Sequence, residues 1–225
     1  MTSLAESQTS RRQRTKYLKS VKVPHEKMLK EGKANAKLGD VITIKKWKGL
    51  KMYSLTLEER VSCPDYCEQW DNCYGNNMPF GHRFDHTHPD FLPLLEQQIT
   101  ELLAKHTNGI VIRLHVLGDF FSIDYCIFWV HMLIRHPNLN IFGYTHHRLS
   151  TEMGQAVDSL NRIAPDRAAI RFSDDDITEF SAYTESTRPL HKGGIYCPEQ
   201  TGKTASCATC GYCWSSDQPV IFIEH

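Results

Sequence analysis

Three cysteines stand within eleven residues, at Cys63, Cys67 and Cys73, between a stretch of strand formers and a polar segment that leads to a helix. Such a loop can fold back and present three thiolates to one point, leaving a coordination position of a metal centre open. No fourth cysteine lies near it. His82, His86 and His88 are the nearby histidines. Their spacing does not form the close pairs usual in zinc sites of three cysteines and one histidine, so they read as surface or locally bonded groups. A second set, Cys197, Cys207, Cys210 and Cys213, has the spacing C-x9-C-x2-C-x2-C and holds four ligands of its own. Zinc draws its ligands from two separate pairs. Cysteines at i, i+3 and i+6 instead resemble the run that reaches different irons of a cubane cluster. Both sets therefore read as 4Fe–4S sites, with zinc as the alternative at 197–213.

That reading requires a reducing compartment. No apolar run approaches the ~18 residues of a membrane span, and the polar, basic first fifteen residues hold no signal peptide. A cytoplasmic protein with no membrane partner is expected, and clustered cysteines there are ligands or redox groups rather than disulfides. Cys126, alone within Ile123 to Leu133, reads as a small buried hydrophobe. The 225 residues suffice for a core without staples, and 40% hydrophobic with 23% charged content argues against disorder. The formal net charge of zero hides an asymmetry: residues 1–52 carry fourteen Lys and Arg against four acids, and the rest carries twelve against twenty-two. Such a basic arm suits phosphate contacts with nucleic acid, or a fold-back onto the acidic body.

Residues 1–20 lack apolar periodicity and are expected to be mobile, followed by a short helix near Glu26–Leu38 and a short strand at Val41–Ile44. Regular structure begins at Leu50. Strands are expected at Leu50–Leu57, Ile110–Leu117, Leu139–Tyr144, Ala168–Phe172, Gly194–Tyr196 and Val220–Ile223. Between them lie a helix over 91–106 capped by Asp90, a second from Ser122 to His136, a third capped by Ser150, and a short one from Asp174-Asp175-Asp176 to about Tyr183. Strands alternating with helices imply parallel pairing. The expected fold is α/β: a partial (βα) barrel of about six mainly parallel strands with a C-terminal cysteine-cluster segment. Residues 1–49 form the arm and 50–225 one domain. No GxGxxG or GxxxxGK[ST] motif follows a strand, which argues against nucleotide binding of those types. At the strand ends stand Gly118-Asp119, Thr145-His146-His147, Ser173-Asp174 and the cysteines, where ligand sites of such folds gather.

Leu55-Thr56-Leu57-Glu58-Glu59-Arg60, Cys63, Cys67 and Cys73-Tyr74-Gly75-Asn76-Asn77-Met78 resemble a family of phage and plasmid proteins, the "gene product 88"-like domain family. Gly118-Asp119-Phe120, Arg171-Phe172-Ser173-Asp174, Cys197 to Thr201, Cys207 to Trp214 and Ile223-Glu224-His225 are similar as well, so the likeness covers about residues 50–225. It implies no particular reaction. The layout also resembles a compact radical S-adenosylmethionine enzyme, although the last cysteine gap is longer than in C-x3-C-x2-C and Leu-Gly-Asp stands where that superfamily has Gly-Gly-Glu. This second likeness implies that Cys63, Cys67 and Cys73 hold a redox cluster whose open iron binds S-adenosylmethionine. It implies that Gly118 and Asp119 meet the methionyl end, that Ser173 or Asp174 meets the ribose, and that the 197–213 set is an auxiliary cluster.

The expectation is an iron–sulfur enzyme of radical S-adenosylmethionine type, fed by a reductant protein and acting on a nucleic acid or nucleotide. His146, His147 or Arg148 would face the substrate. The alternative is a nucleic-acid-binding or regulatory protein in which both sets are structural metal knots. In that case residues 11–51 contact phosphates, Tyr66, Trp70 and Tyr74 stack on bases, and Gly118-Asp119 is a tight turn.

Overall fold

The runs Ile110-Val111-Ile112 and Ala168-Ala169-Ile170 lack the polar alternation of a half-exposed strand, and a strand covered on both faces needs no such alternation. The computed structural model, which describes residues 14–44, 46–175, 177–178, 180–189 and 193–224, places them at the centre of a mixed α/β fold. Its strands are β1 (Val21–Lys22), β2 (Lys30–Glu31), β3 (Lys51–Ser54), β4 (Arg83–Phe84), β5 (Ile110–Arg113), β6 (Leu139–Thr145), β7 (Ala168–Ser173), β8 (Ser181–Thr184), β9 (Ile195–Tyr196) and β10 (Val220–Phe222). The main sheet has eight strands in the order β2-β3-β5-β6-β7-β8-β10-β9, while β1 and β4 form a separate parallel pair. Among the described residues of the main sheet, only β2 runs antiparallel, pairing Lys30 with Ser54.

Three helices, α1 (Phe91–Lys105), α2 (Ile123–Arg135) and α3 (Glu152–Ile163), cover one face. Leu95, Ile99, Trp129 and Leu160 pack there with Ile112, Ile141 and Ile170. The side chains that alternate with these, Met52, Val111, Phe142 and Ala169, point to the opposite face. That face is closed by Leu38, Ile42, Ala208 and Trp214, the last two from the short helices α4 (Cys207–Cys210) and α5 (Tyr212–Ser215). No described helix is long and apolar enough to cross a membrane.

Several expectations need correction. The described residues from Asp174 to Tyr183 form no helix. Asp174 takes a left-handed φ of 56°, the Asp175 carboxylate accepts from Leu149 N and Ile177 N, and Ser181–Thr184 pairs in parallel with β7. Asp176 lies outside the described residues. Glu26–Leu38 holds β2 and a 3-10 turn at Gly32–Ala34 instead of a helix, and Val41 makes only an isolated bridge to Lys51. These two unexpected strands raise the expected six to eight. The cap of α3 is Thr151, whose hydroxyl accepts from Gly154 N at 3.0 Å, rather than Ser150. Asp90 precedes α1 but its side chain makes no capping hydrogen bond, whereas Ser122 caps α2 by accepting from Tyr125 N at 3.1 Å. Cys126 is buried against Met153, its Sγ 3.9 Å from the thioether, and burial pushes its thiol up to about 12.

The described part of the basic segment is packed on the body: Met28, Leu29, Leu38 and Ile42 are core residues. Residues 1–13, and with them most of the stretch expected to be mobile, lie outside the described residues, as do Lys45 and His225.

Candidate functional site

Parallel pairing of β3, β5, β6, β7, β8, β10 and β9 brings their carboxyl ends to one edge. A cavity of about 380 Å³ opens along that edge, and Cys63, Cys67, Cys73, Cys197, Cys207 and Cys213 all line it. The two cysteine sets, more than a hundred residues apart in sequence, thus share one space. Among the described residues, no group of three or more His, Cys, Asp and Glu is gathered so as to hold a metal ion. Zinc–sulfur bonds of ~2.3 Å bring tetrahedral ligands to within about 3.8 Å of one another. A cubane distributes its thiolates over different irons.

The root of the first loop is anchored by buried charge. Glu58 and Glu59, both 2% exposed, end the segment after β3. Arg83, fully buried, donates to both oxygens of Glu59 at 2.5 and 2.9 Å and to the carbonyls of Gly75, Met78 and Gly81 just beyond Cys73. Thr15 gives its hydroxyl to Glu59 at 2.7 Å, Arg14 forks onto Glu58 at 2.8 and 3.0 Å, and Tyr17 donates to Asn76 O. Burial pushes the Cys63 thiol well above its usual value, and the Asp119 carboxylate and the sulfurs of Cys67 and Cys73 add to this. Burial likewise raises Cys73. Such thiols stay protonated unless a metal takes the proton's place, and ligation would supply the missing positive charge.

Gly118 and Asp119 join this root to the next strands. Gly118 has φ +88°, and a Cβ there would meet Ser62 Oγ at 2.5 Å and Leu57 Cβ at 2.7 Å. Its missing side chain is filled by the root of the cysteine loop itself. Gly118→Ala is therefore expected to cost about 2–4 kcal/mol in urea unfolding. Gly202→Ala, also at positive φ but in open space, should cost about 1 kcal/mol. Equal losses would mean that the close approach is unimportant. Asp119, 2% exposed, accepts from Phe120 N and His146 N, both at 2.7 Å, while its own N–H donates to Ser62 Oγ at 3.3 Å. It lines the cavity, as do Ser173 and Asp174.

Of the three substrate-facing candidates, His146 is the one that lines this cavity. Its Nε2 lies 3.5 Å from Asp174 Oδ2. Burial works against charge on this ring, but hydrogen bonds to Asp174 and Cys67 outweigh it and hold its pKa well above the usual value. His147 turns away, Nε2 bonding Phe120 O at 2.7 Å. Arg148 lies outside the cavity, 3.5 Å from Glu68 and over the Tyr66 ring, while Arg60 covers Trp70. Tyr66 and Trp70, candidates for base stacking, thus face the chain's own guanidinium groups. His82, His86 and His88 do not line the cavity: His86 packs on Phe121, and His88 accepts from Asp90 N.

The second set is seated by residues that sequence reasoning passed over. Arg171, buried on the inner face of β7, donates from Nε to Cys213 O at 2.9 Å, and from its other nitrogens to Ser181 O, Gln218 O and Ser216 O. Tyr144 donates to Cys213 Sγ at 2.8 Å. Arg113, at the end of β5, lines the cavity over the Tyr144 ring. Burial raises the thiols of Cys207 and Cys213. The signal available in sequence was a charged residue two positions from an inner-face apolar one in a central strand: Val111 then Arg113, Ala169 then Arg171.

Three of the four described non-glycine residues at positive φ, Arg60, His115 and Asp174, line the cavity. Such strain gathers at functional sites. His115 is 4% exposed, bonds Tyr125 Oη through Nε2 at 3.0 Å, and leaves Nδ1 without a partner. Burial, then the Arg113 charge, hold its pKa well below the usual value. The unfolded chain therefore binds the extra proton first. The stability held by neutral His115 is complete above the unfolded pKa of ~6.5 and falls as pH drops below it, by up to about 1.4 kcal/mol per unit. His115→Gln is expected to remove that portion of the slope, read as wild type minus variant in urea midpoints between pH 7.5 and 5. A difference independent of pH would refute it.

A profile of the family described as "Gene product 88" matches residues 19–216. The chain is also similar to the "Gene 88 protein" of Mycobacterium phage L5, 27% identical over an alignment 158 residues long that covers 59% of this chain and 64% of the phage protein. It thus aligns with just under two thirds of that relative's length. No solved structure matches.

Proposed function

The chain belongs to the Gene product 88 family, and we propose that within it this protein is an iron–sulfur enzyme of radical S-adenosylmethionine type. The observation that carries the reading is the shared cavity: three cysteines of the first loop and three of the second set line one space at the carboxyl edge of a parallel sheet. We read the sheet as part of a barrel, because β3, β5, β6, β7 and β8 follow one another in chain order with α1, α2 and α3 packed on a single face. Ligands of such folds bind at that edge. The chemistry of the donor set supports the reading: the cysteines that line the cavity are soft sulfur donors of the kind that hold iron–sulfur clusters.

Cys63, Cys67 and Cys73 would hold the reactive cluster and leave one iron open. When bound, that cluster and S-adenosylmethionine together supply an adenosyl radical able to take hydrogen from a substrate. The protein's own work is orientation and shielding. Asp119, locked by two backbone N–H groups, would meet the cofactor's amino group with its remaining lone pairs, and Ser173 or Asp174, which line the same cavity, would meet its ribose. His146, its Nε2 3.5 Å from Asp174 Oδ2, lines the same cavity and would face the substrate. A one-electron donor protein is the implied partner, and the reducing cytoplasm the setting. The fourteen cationic side chains of residues 1–52 favour a phosphate-bearing substrate, a nucleotide or nucleic acid.

Anaerobic reconstitution, with iron, sulfide and zinc counted, tests the reading. The expected result is two 4Fe–4S clusters and formation of 5′-deoxyadenosine from S-adenosylmethionine under reduction. Zinc alone would refute it. Clusters without 5′-deoxyadenosine would leave the metal sites and remove the enzyme. Loss of salt-dependent DNA or RNA binding on deleting residues 1–13 would support the phosphate-bearing substrate.

A further inference from the structure

The polar groups around the second cysteine set favour added negative charge on it. Tyr144 Oη donates to Cys213 Sγ at 2.8 Å. The Arg113 guanidinium lies 4.5 Å from the centroid of the same tyrosine ring and 5.6 Å from that of Phe142. Its Nη1 donates to Leu114 O at 2.6 Å, and among the described residues it pairs with no carboxylate. A guanidinium held on an apolar wall without a counter-ion is costly. Cys207, Cys213 and the Asp119 carboxylate line the same cavity as this guanidinium. Tyr144 and Arg113 thus form a stacked pair, one partner bonded to a ligand sulfur and the other facing the cavity shared by both sets.

We propose that Tyr144 and Arg113 are positioning residues that raise the reduction potential of the cluster held by Cys197, Cys207, Cys210 and Cys213. The inference rests on the iron–sulfur reading above. Reduction adds one electron from the external donor and breaks no bond to the protein. The added charge spreads onto the sulfurs, where a hydrogen bond and a nearby cation stabilise the reduced form over the oxidised one. The second cluster then takes up an electron more readily than the same four cysteines would without this pair.

The test uses the full chain carrying C63A, C67A and C73A, so that one cluster remains, and follows its reduction by electron paramagnetic resonance at controlled potential. Tyr144→Phe and Arg113→Met are each expected to move the midpoint to lower potential at unchanged iron content, while Arg113→Lys keeps most of the wild-type value. Unchanged midpoints in Tyr144→Phe and Arg113→Met would overturn the proposal. Should Tyr144→Phe shed its cluster, a fluorotyrosine at 144, a stronger donor, must raise the midpoint, and no rise would overturn it equally. Absence of iron, or zinc in its place, would overturn it together with the reading it rests on, and metal counting separates that failure from an unmoved potential.

Discussion

Replacing Cys63, Cys67 and Cys73 together by alanine is expected to remove about half of the iron and sulfide and to abolish 5′-deoxyadenosine formation, while the chain stays folded. The first loop hangs from an anchored root: Glu58, Glu59, Arg83 and Ser62 fix its start without any sulfur. The second set should behave differently. Cys207, Cys210 and Cys213 belong to the short helices whose Ala208 and Trp214 close the inner face of the sheet, with Trp214 stacked on Trp47 at 5.4 Å. A ligand bound there also holds a layer of the core, and binding free energy at such a site is folding free energy. Cys207→Ala with Cys210→Ala and Cys213→Ala should therefore lower the thermal midpoint as well as the iron content. Equal effects of the two triple variants on stability would refute this division of labour, and full iron retention in the first would refute the ligand assignment.

Arg83→Met is expected to be the most damaging single substitution for stability, at about 3–5 kcal/mol in urea unfolding. Removing it leaves the Glu59 carboxylate buried with Thr15 as its remaining bond, and takes the guanidinium donors away from the carbonyls of Gly75, Met78 and Gly81. Breaking a buried pair costs this much because the surviving charge has no counter-ion. Glu59→Leu placed with Arg83→Met should recover a large part of the loss, as the unpaired charge is then gone. A double variant no more stable than Arg83→Met alone would refute that explanation. Because the three carbonyls follow Cys73, the single variant should also hold its first cluster more weakly, read as faster iron loss to a chelator.

The strand–helix repeat was legible wherever local pattern and tertiary need agreed. Ile110–Arg113, Leu139–Thr145 and Ala168–Ser173 are mostly apolar because both faces are covered, and Ser122 caps its helix as its position suggests. Legibility failed where a long-range partner decides. Lys30–Glu31 is a strand because Ser54 and Tyr53 lie beside it, and Ser181–Thr184 because β7 does. Three aspartates in a row read as a helix start, yet the Asp175 carboxylate is spent on Leu149 N and Ile177 N. At Gly118 the packing against Ser62 and Leu57, which a Cβ would disrupt, was likewise visible only in the tertiary structure.

What the sequence determined by itself is the donor inventory and its local spacing: three thiols in a loop after one strand, four in a compact run after another, and polar residues after the strands between. These follow from the chain's covalent order and from short-range preference. Which thiols share a space was left to the tertiary structure, because parallel pairing alone aligns the ends of strands far apart in the chain. The same pairing sets Arg113, Tyr144 and Arg171 beside the second set. Their role depends on which face of a covered strand a side chain takes, and an apolar run does not encode that choice.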